Sequence, residues 1–532
     1  MKHVTMKASP AASPVLSCKQ ALELEAGILR DEAAEWAAMQ AAGRAIAQQV
    51  EHDFHELSPW PQAPRVLALI GKGHNGGDAL IACGHLLADF PRTSVTLILT
   101  QPVEQMKPLA QRAYAALEGR VMVHQVDGSC DQQEVHRLLD SASGGAGYAI
   151  CLDGLLGMSF APPLREPLRT LIQAINAYCK IGLRAAVDLP SGKGDASDLV
   201  SFQADFSYAT GVVKQVLLEG IAECGRVRYI DLGFFETPQG RSIEATERVL
   251  NDRVLDPLRV LRPAWGDKRA YGHLFVVGGS ASMPGALLMA VQAAVRSGVG
   301  LVTAFAPASL AASLSAQVPE AMWVPWPETA NGTLNPRAMP LLFDRIDQAT
   351  AVLVGPGMGQ DRNTEMVAQD LVRQIKPPVI MDADALRPRV VELVPTRKPT
   401  MGPVVLTPHM GEFMRIARLT QPDYSNDMLK TFCRRYHVMT VLKAAHTRIC
   451  DAESLWYNIC GGGVLARGGS GDVLAGLMAG MVAQDAVDTS AAVARGVVLH
   501  GLAAQELARQ HGQVLVHTTQ LLDYLTHVLR RM

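Results

Sequence analysis

Short apolar runs that end in glycine-rich or polar loops, and that alternate with stretches of helical periodicity, recur in two series along these 532 residues. Val66–Ile70, Val95–Leu99, Tyr148–Leu152 and Ala185–Asp188 form the first series. Leu274–Val277, Leu301–Ala304, Ala351–Val354, Val379–Met381, Val404–Leu406 and Met439–Leu442 form the second. Runs this short and this apolar read as strands buried on both faces, which requires a parallel sheet covered by helices. A chain of this length exceeds one typical core, so each series is expected to build its own three-layer α/β/α domain. Ahead of the first series, the spacing of Leu22, Ala26, Leu29, Ala33, Trp36, Met39, Ala42 and Ile46 predicts a leading helix or helix pair. Between the series, from Gly233 to Arg262, periodicity weakens and charges accumulate. This stretch reads as a connector, with domains at 1–245 and 246–532.

Composition narrows the class. Hydrophobic residues at 48% with 46 glycines and only 5% aromatics describe an Ala/Val/Leu/Gly-rich α/β enzyme rather than a fibrous or disordered chain. A formal charge of −2 gives no general attraction to nucleic acid or an anionic membrane. The nine cysteines never fall as Cys-x-x-Cys and are odd in number, which points to reduced thiols in the cytoplasm rather than to zinc or a disulfide framework. Neither a signal peptide nor a membrane span is legible.

In a parallel sheet the ligand crevice lies at the carboxyl ends of the strands, so the loops there carry the functional reading. The first strand runs into Gly71-Lys72-Gly73-His74-Asn75-Gly76-Gly77-Asp78, where glycines allow the backbone to approach a pyrophosphate and Asn75 and Asp78 add oriented polar groups. The glycine spacing differs from the Gly-x-Gly-x-x-Gly dinucleotide fingerprint, which disfavours a standard hydride-transfer site. Two more strands end in Asp153-Gly154-Leu155-Leu156-Gly157 and Asp188-Leu189-Pro190-Ser191-Gly192. Either aspartate alone reads first as a cap for the helix that follows; three such loops on one sheet read as a site.

Together with Met39-Gln40-Ala41-Ala42-Gly43, these residues resemble the NAD(P)H-hydrate epimerase domain over about residues 20 to 240. The resemblance implies a Rossmann-like fold that holds the hydrated cofactor against His74, Asn75, Gly76, Gly77 and Asp78 and against Gly157, Met158, Ser159, Phe160, Ala161, Pro162 and Pro163. It also implies Asn75, Asp153 and Ser191 as ligands of K+ and Asp188 as the acid/base group. Departures from the family pattern are His74 for Asn, Ala79 for Gly, and Met158-Ser159 for Thr-Gly; His74 reads as a solvent-facing loop residue.

The second series repeats the design with Gly278-Gly279-Ser280 and Pro284-Gly285-Ala286, then Gly355-Pro356-Gly357-Met358-Gly359, Asp382-Ala383-Asp384-Ala385-Leu386 and Leu406-Thr407-Pro408-His409-Met410-Gly411-Glu412. His409 reads as a cap or as a group in the crevice, and its place in a Thr-Pro loop favours the crevice. Lys443 ends a strand, where it can neutralise phosphate, and Thr447 can donate a hydroxyl hydrogen bond. Gly468-Gly469-Ser470-Gly471-Asp472 opens an apolar helix, making an anion hole with a carboxylate at its mouth.

In this order, the motifs resemble the ADP-dependent NAD(P)H-hydrate dehydratase domain, of ribokinase-like fold, over about residues 255 to 530. The resemblance implies that Ala286, Gly357, His409 and Asp472 contact the hydrate, and that Lys443, Ala444, Ala445, His446, Thr447 and Gly471 hold the adenine nucleotide. Departures are Asp267 for His, Met410 for Pro, Ala444 for Gly and Gly462 for Asn. The implied chemistry is deprotonation of the hydrate hydroxyl by Asp472, phosphoryl transfer from ADP with Mg2+ on the phosphates, and elimination of phosphate. Substrates are then NADHX, NADPHX and ADP, with no nucleic-acid or membrane partner; a homo-oligomer is expected from the apolar leading helix. The alternatives are a ribokinase-like small-molecule kinase, which shares the glycine turn, and a nucleotide-binding module without catalysis in the first unit.

Overall fold

A computed structural model describes residues 10–531 of the chain. It separates into two compact units, Ser13–Ala245 with Arg509–Gly512, and a second built on Thr246–Ala508 and the residues from Gln513. Each is α/β with a parallel sheet, as the alternation of apolar runs predicts.

The first unit opens with α1 (Cys18–Ile28) and α2 (Glu32–Phe54), the expected helix pair. Ser17 and Gln20 form a capping box at the start of α1, and Asp31 caps α2, so both helices start where a side-chain oxygen replaces the missing carbonyl partner. The strands are β1 (Arg65–Ile70), β2 (Ser94–Leu99), β3 (Met122–Gln125), β4 (Tyr148–Gly154), β5 (Ile181–Val187), β6 (Phe206–Thr210) and β7 (Arg226–Ile230). They lie in the order β3-β2-β1-β4-β5-β6-β7, all parallel. Alternate residues of β1 face opposite cores. Val66, Ala68 and Ile70 join α2 and α3 (His74–Asp89), while Leu67 and Leu69 join the apolar faces of Gln132–Ala142 and Leu168–Ala177. This two-sided burial makes three layers and explains why the strand is apolar throughout. Under the sheet, buried Asp53 accepts from Arg228 through both carboxylate oxygens and from Arg509 at 2.9 Å, and these cations hold its carboxyl below the usual range against the opposing effect of burial.

The second unit contains β8 (Glu247–Leu250), β9 (His273–Val277), β10 (Leu301–Pro307), β11 (Met322–Trp326), β12 (Ala351–Val354), β13 (Val379–Met381), β14 (Val404–Leu406), β15 (Val438–Leu442), β16 (Thr447–Cys450) and β17 (Leu455–Asn458). Their order is β11-β10-β9-β12-β13-β14-β15-β16-β17-β8, parallel except where β16 runs against both neighbours. The stretch expected to be only a connector therefore holds a strand. Val249 and Leu250 are buried in β8, but four residues are too few to show a period in the sequence. Among the described residues, no helix is long and apolar enough to cross a membrane.

Candidate active sites

Parallel pairing brings the carboxyl ends of β1, β4 and β5 side by side, and the three loops singled out in the first series meet there. His74 and Asn75 open α3 behind Gly73. The Asn75 side-chain amide donates to the carbonyls of Leu156 and Val187, both at 2.7 Å, so one residue ties the β1 loop to the two others. Gly76 is required by close approach, since a Cβ there would lie 2.2 Å from the Gly71 carbonyl oxygen. A Cβ on Gly77 would meet Met39 Sδ at 2.6 Å, which explains the Met39–Gly43 pattern as packing of α2 on α3.

Asp153 is fully buried and accepts from the Ser191 hydroxyl and backbone amide, both at 2.7 Å; Ser191 Oγ in turn accepts from Leu156 N–H at 2.9 Å. Burial pushes the Asp153 carboxyl up to about 6, and no ion pair reaches it among the described residues. The oxygens of Asp153 and Ser191, with Asn75 tied to the same loops, are hard donors of the kind that fits a monovalent cation.

Asp188 ends β5 at φ 64, a left-handed conformation that a non-glycine residue adopts only when its surroundings enforce it. The enforcing bonds are clear. Its carboxylate accepts from Thr210 N–H at 3.1 Å and Thr210 Oγ1 at 3.0 Å, and pairs with the Lys214 ammonium, which is itself fully buried and also donates to the Thr210 carbonyl at 3.1 Å. Around this pair stand two acids whose pKa values are raised. Burial, then the charges of Asp188 and Glu25, raise Asp78 well above the usual carboxylate range. Burial also pushes Glu25 of α1 up to about 7. Lys214 and Glu25 were not singled out from the sequence. Lys214 was nonetheless legible, because Gly211-Val212-Val213-Lys214 is an apolar run ending in a lysine, the same signal that marks Lys443.

The expected segment from Met158 to Pro163 splits in character. Met158 packs against the apolar cluster of Leu16, Ala21 and Leu24, whereas Ser159, Ala161, Pro162 and Pro163 are exposed and Phe160 N–H returns to the Gly157 carbonyl at 3.0 Å. His74 is half-exposed, with Nε2 3.8 Å from Glu35, and burial followed by the Lys107 charge lowers its pKa. Its side chain keeps 47% of its surface open, as expected of a solvent-facing residue.

In the second unit the same logic places the site at the ends of β9, β12, β13, β14 and β15. Gly357 has φ 63, and a Cβ there would lie 2.4 Å from the Met283 carbonyl and 3.0 Å from Ala286 Cβ, at the start of α4 (Pro284–Arg296). Gly357→Ala is therefore expected to lower unfolding stability by roughly 1–3 kcal/mol. Chemical denaturation measures this, and a wild-type midpoint for the variant would reject the close contact.

Asp382, at the end of β13, accepts from Thr407 Oγ1 at 2.6 Å and from Lys443 Nζ at 2.9 Å. Lys443 Nζ also lies 3.9 Å from Glu412, and a Cβ on Gly471 would be 3.2 Å from it. Burial disfavours the Lys443 ammonium, but Asp382 and Glu412 outweigh that and hold its pKa above the ordinary value. The helix α6 (Ser470–Gln484) starts on this lysine, with Gly469 at φ 88 before it and Asp472 in its first turn. Burial, then the charges of Asp382, Asp384 and Glu412, push Asp472 up to about 7 against the opposing pull of Lys443. A carboxyl poised near neutrality beside a permanent cation and a helix N-terminus is suited to taking a proton next to an anionic group.

His409 caps α5 (Met410–Ala417). Its Nδ1 accepts from Gly411 and Glu412 N–H at 3.0 and 3.3 Å, and Glu412 accepts from His409 N–H at 2.9 Å. Nε2 lies 3.6 Å from the Glu412 carboxylate, and 60% of the side chain is exposed towards the crevice. Ala444 and Ala445 form the exposed turn between β15 and β16, His446 is buried behind it, and Thr447 Oγ1 lies 3.4 Å from the Ala444 carbonyl. His500 was not anticipated. It is buried, hydrogen-bonded to the Ser470 backbone, and held down to about 4 by burial, so it supports the glycine turn as a neutral ring. Its position inside an apolar helix, Thr489–His511, gave the sequence no reason to select it. Among the described residues no cluster of three or more acidic, His or Cys side chains could cage a metal. Mg2+ usually keeps several waters and binds through one or two carboxylates together with substrate phosphates.

Comparison with known proteins matches two separate segments of the chain. Residues 274–527 match the family described as NAD(P)H-hydrate dehydratase, and residues 36–216 match the family described as YjeF-related protein N-terminus. The bifunctional NAD(P)H-hydrate repair enzyme Nnr of Moorella thermoacetica is 31% identical over 514 residues, 93% of this chain and 92% of that protein. The enzyme of the same name from Gloeobacter violaceus is 31% identical over 94% of each. Among solved structures, an ADP/ATP-dependent NAD(P)H-hydrate dehydratase from Bacillus subtilis, co-crystallised with ATP and Mg2+, is 30% identical with a TM-score of 0.44 and covers 51% of this chain and 93% of that one.

Proposed function

Because this chain belongs to the family of bifunctional NAD(P)H-hydrate repair enzymes, we propose that residues 1–245 interconvert the R and S hydrates of NADH and NADPH, and that residues 246–532 dehydrate the S form while converting ADP to AMP and phosphate. The observation that supports this most is that each unit sets a carboxylate against a buried or half-buried lysine at the mouth of a glycine-lined crevice, Asp188 with Lys214 and Asp472 near Lys443.

In the first unit Asp188 is the acid/base group: it passes a proton to and from the substrate as the bond between the hydrated ring carbon and its oxygen breaks and re-forms on the opposite face, with Lys214 fixing its carboxylate and Asp78 and Glu25 close by. His74 to Asp78 and Gly157 to Pro163 form the walls of this pocket. Asn75, Asp153 and Ser191 would hold K+, which would neutralise the buried Asp153 and fix the loops that meet there. In the second unit Ala286, Gly357 and His409 seat the hydrate, and Asp472 removes its hydroxyl proton. Lys443 to Thr447 and Gly471 hold the nucleotide, with Lys443 and the first amides of α6 offsetting the charge of the phosphoryl group as it transfers. Phosphate then leaves with the ring oxygen while the adjacent ring carbon loses a proton, restoring the dihydronicotinamide.

Full-length protein incubated with mixed R and S NADH hydrate, ADP and Mg2+ should convert both epimers, releasing one phosphate per reduced nicotinamide. A stable phosphate ester of the substrate would instead establish a kinase. The reading extends to a cytoplasmic homo-oligomer: a solution mass well above the 57.1 kDa of one chain supports the assembly, and a monomer mass rejects it.

A further inference from the structure

Arg387 lies outside every motif discussed so far, yet its guanidinium is spent entirely on the backbone of the second crevice. Nε donates to the Asp384 carbonyl at 2.9 Å, Nη2 to the Gly359 carbonyl at 3.0 Å and Nη1 to the Gln360 carbonyl at 3.2 Å. The first acceptor belongs to the loop after β13, which carries Asp382 and Asp384. The other two belong to the loop after β12, which carries Gly357. A second bond closes the pair, because Gly359 N–H donates to Asp384 Oδ2 at 2.9 Å. Its ion pairs are secondary: Glu365 stands 3.9 Å from Nη1, and the same carboxylate is shared with Arg389. The side chain is 16% exposed, so three charge-assisted bonds operate with little competition from water.

We infer that Arg387 is a positioning residue for dehydration, a planar clamp that fixes the Gly357 loop against the Asp382–Asp384 loop and so sets the hydrate relative to Asp472. The inference rests on the dehydratase reading above. The fork geometry matters more than the charge, since carbonyls on two separate loops must be met in one plane, which an ammonium cannot do. Misplacing a substrate-seating loop by about 1 Å costs on the order of 100-fold in rate. Nucleotide binding is affected less, because Lys443 reaches this loop only through Asp382, while Ala444 to Thr447 and the α6 turn lie on other strand ends.

The test compares wild-type protein, Arg387→Ala and Arg387→Lys, all full length. Hydrogen exchange of the amides in 355–361 and 382–387 reports the clamp without substrate. Exchange is expected to speed at least tenfold at Gly359 in both variants. Dehydration kcat/KM for the S hydrate is expected to fall about 10- to 100-fold in Arg387→Ala, with Arg387→Lys recovering no more than a few-fold. The KM for ADP and the epimerase rate should stay within twofold of wild type. Unchanged exchange at Gly359 overturns the clamp whatever the reaction proves to be. Faster exchange with unchanged dehydration overturns its role in the reaction, as does full recovery in Arg387→Lys. Wild-type protein that binds ADP yet does not dehydrate overturns the reading and this role together.

Discussion

Asp472→Asn is expected to abolish dehydration, lowering kcat by about 100- to 10,000-fold, the range that a positioned general base contributes, while leaving epimerisation within twofold of wild type. The pH dependence follows from the same carboxyl. Its pKa is raised from 3.8 to about 7, and only the deprotonated form accepts a proton, so kcat/KM in the free enzyme should fall tenfold per unit below about pH 7 and level off above it. Stability runs the other way. A carboxyl whose folded pKa is raised contributes stability that is fully present below about pH 4 and lost as pH rises through about 7. At pH 8 the charged Asp472 therefore destabilises the second unit, and the Asn variant should be more stable there by on the order of 2–4 kcal/mol. Activity lost with stability gained is the expected signature of a functional group held in an unfavourable site. Rate against pH, together with denaturation at pH 5 and pH 8, measures both halves. A variant that keeps dehydrating, or one destabilised at both pH values, would remove Asp472 from the base role.

Lys214→Met should damage the first unit as severely. The ammonium is completely enclosed, and the variant leaves Asp188 buried without its counter-charge, a cost of about 3–5 kcal/mol for breaking such a pair from one side. The acid/base group also loses the bond that fixes it in the crevice. Epimerisation should therefore drop about 100-fold or more, and dehydration of S hydrate should be unaffected. The double variant Asp188→Asn with Lys214→Met separates the two effects. Removing both charges should recover much of the lost stability and none of the activity. A double variant no more stable than Lys214→Met would contradict the pairing as the source of the cost.

What the sequence made legible follows from how each residue earns its place. Strands buried on both faces announce themselves, so β1, β2, β4, β5 and most of the second sheet were readable as apolar runs. The edge strand β3 was not, because Met122, Val123 and Gln125 are exposed and show neither a run nor an alternation. Strand β6, Phe-Ser-Tyr-Ala-Thr, carries polar residues that are satisfied only in three dimensions, Ser207 by the Cys224 carbonyl and Tyr208 by Asp53. The strand-end rule found Asn75, Asp153, Asp188, Ser191, Gly357 and Asp382, which the sheets bring together. It did not find groups that reach a site from helices, Glu25 and His500, or from the loop side, Arg387. Their roles depend on packing distance rather than on position along the chain. His409 shows the opposite case, where a capping role and a crevice position coincide in one side chain.

The most direct test of two sites acting in series starts from pure R NADH hydrate with ADP and Mg2+, comparing the wild type with Asp188→Asn and Asp472→Asn after subtracting spontaneous inversion. Wild-type protein should restore the reduced-nicotinamide absorbance with one phosphate released per product. Asp188→Asn should slow to the spontaneous rate on R hydrate yet dehydrate S hydrate normally, and Asp472→Asn should accumulate an R and S mixture with no phosphate. If either variant behaves like wild type, or if a phosphorylated substrate accumulates instead of reduced nicotinamide, the account is contradicted.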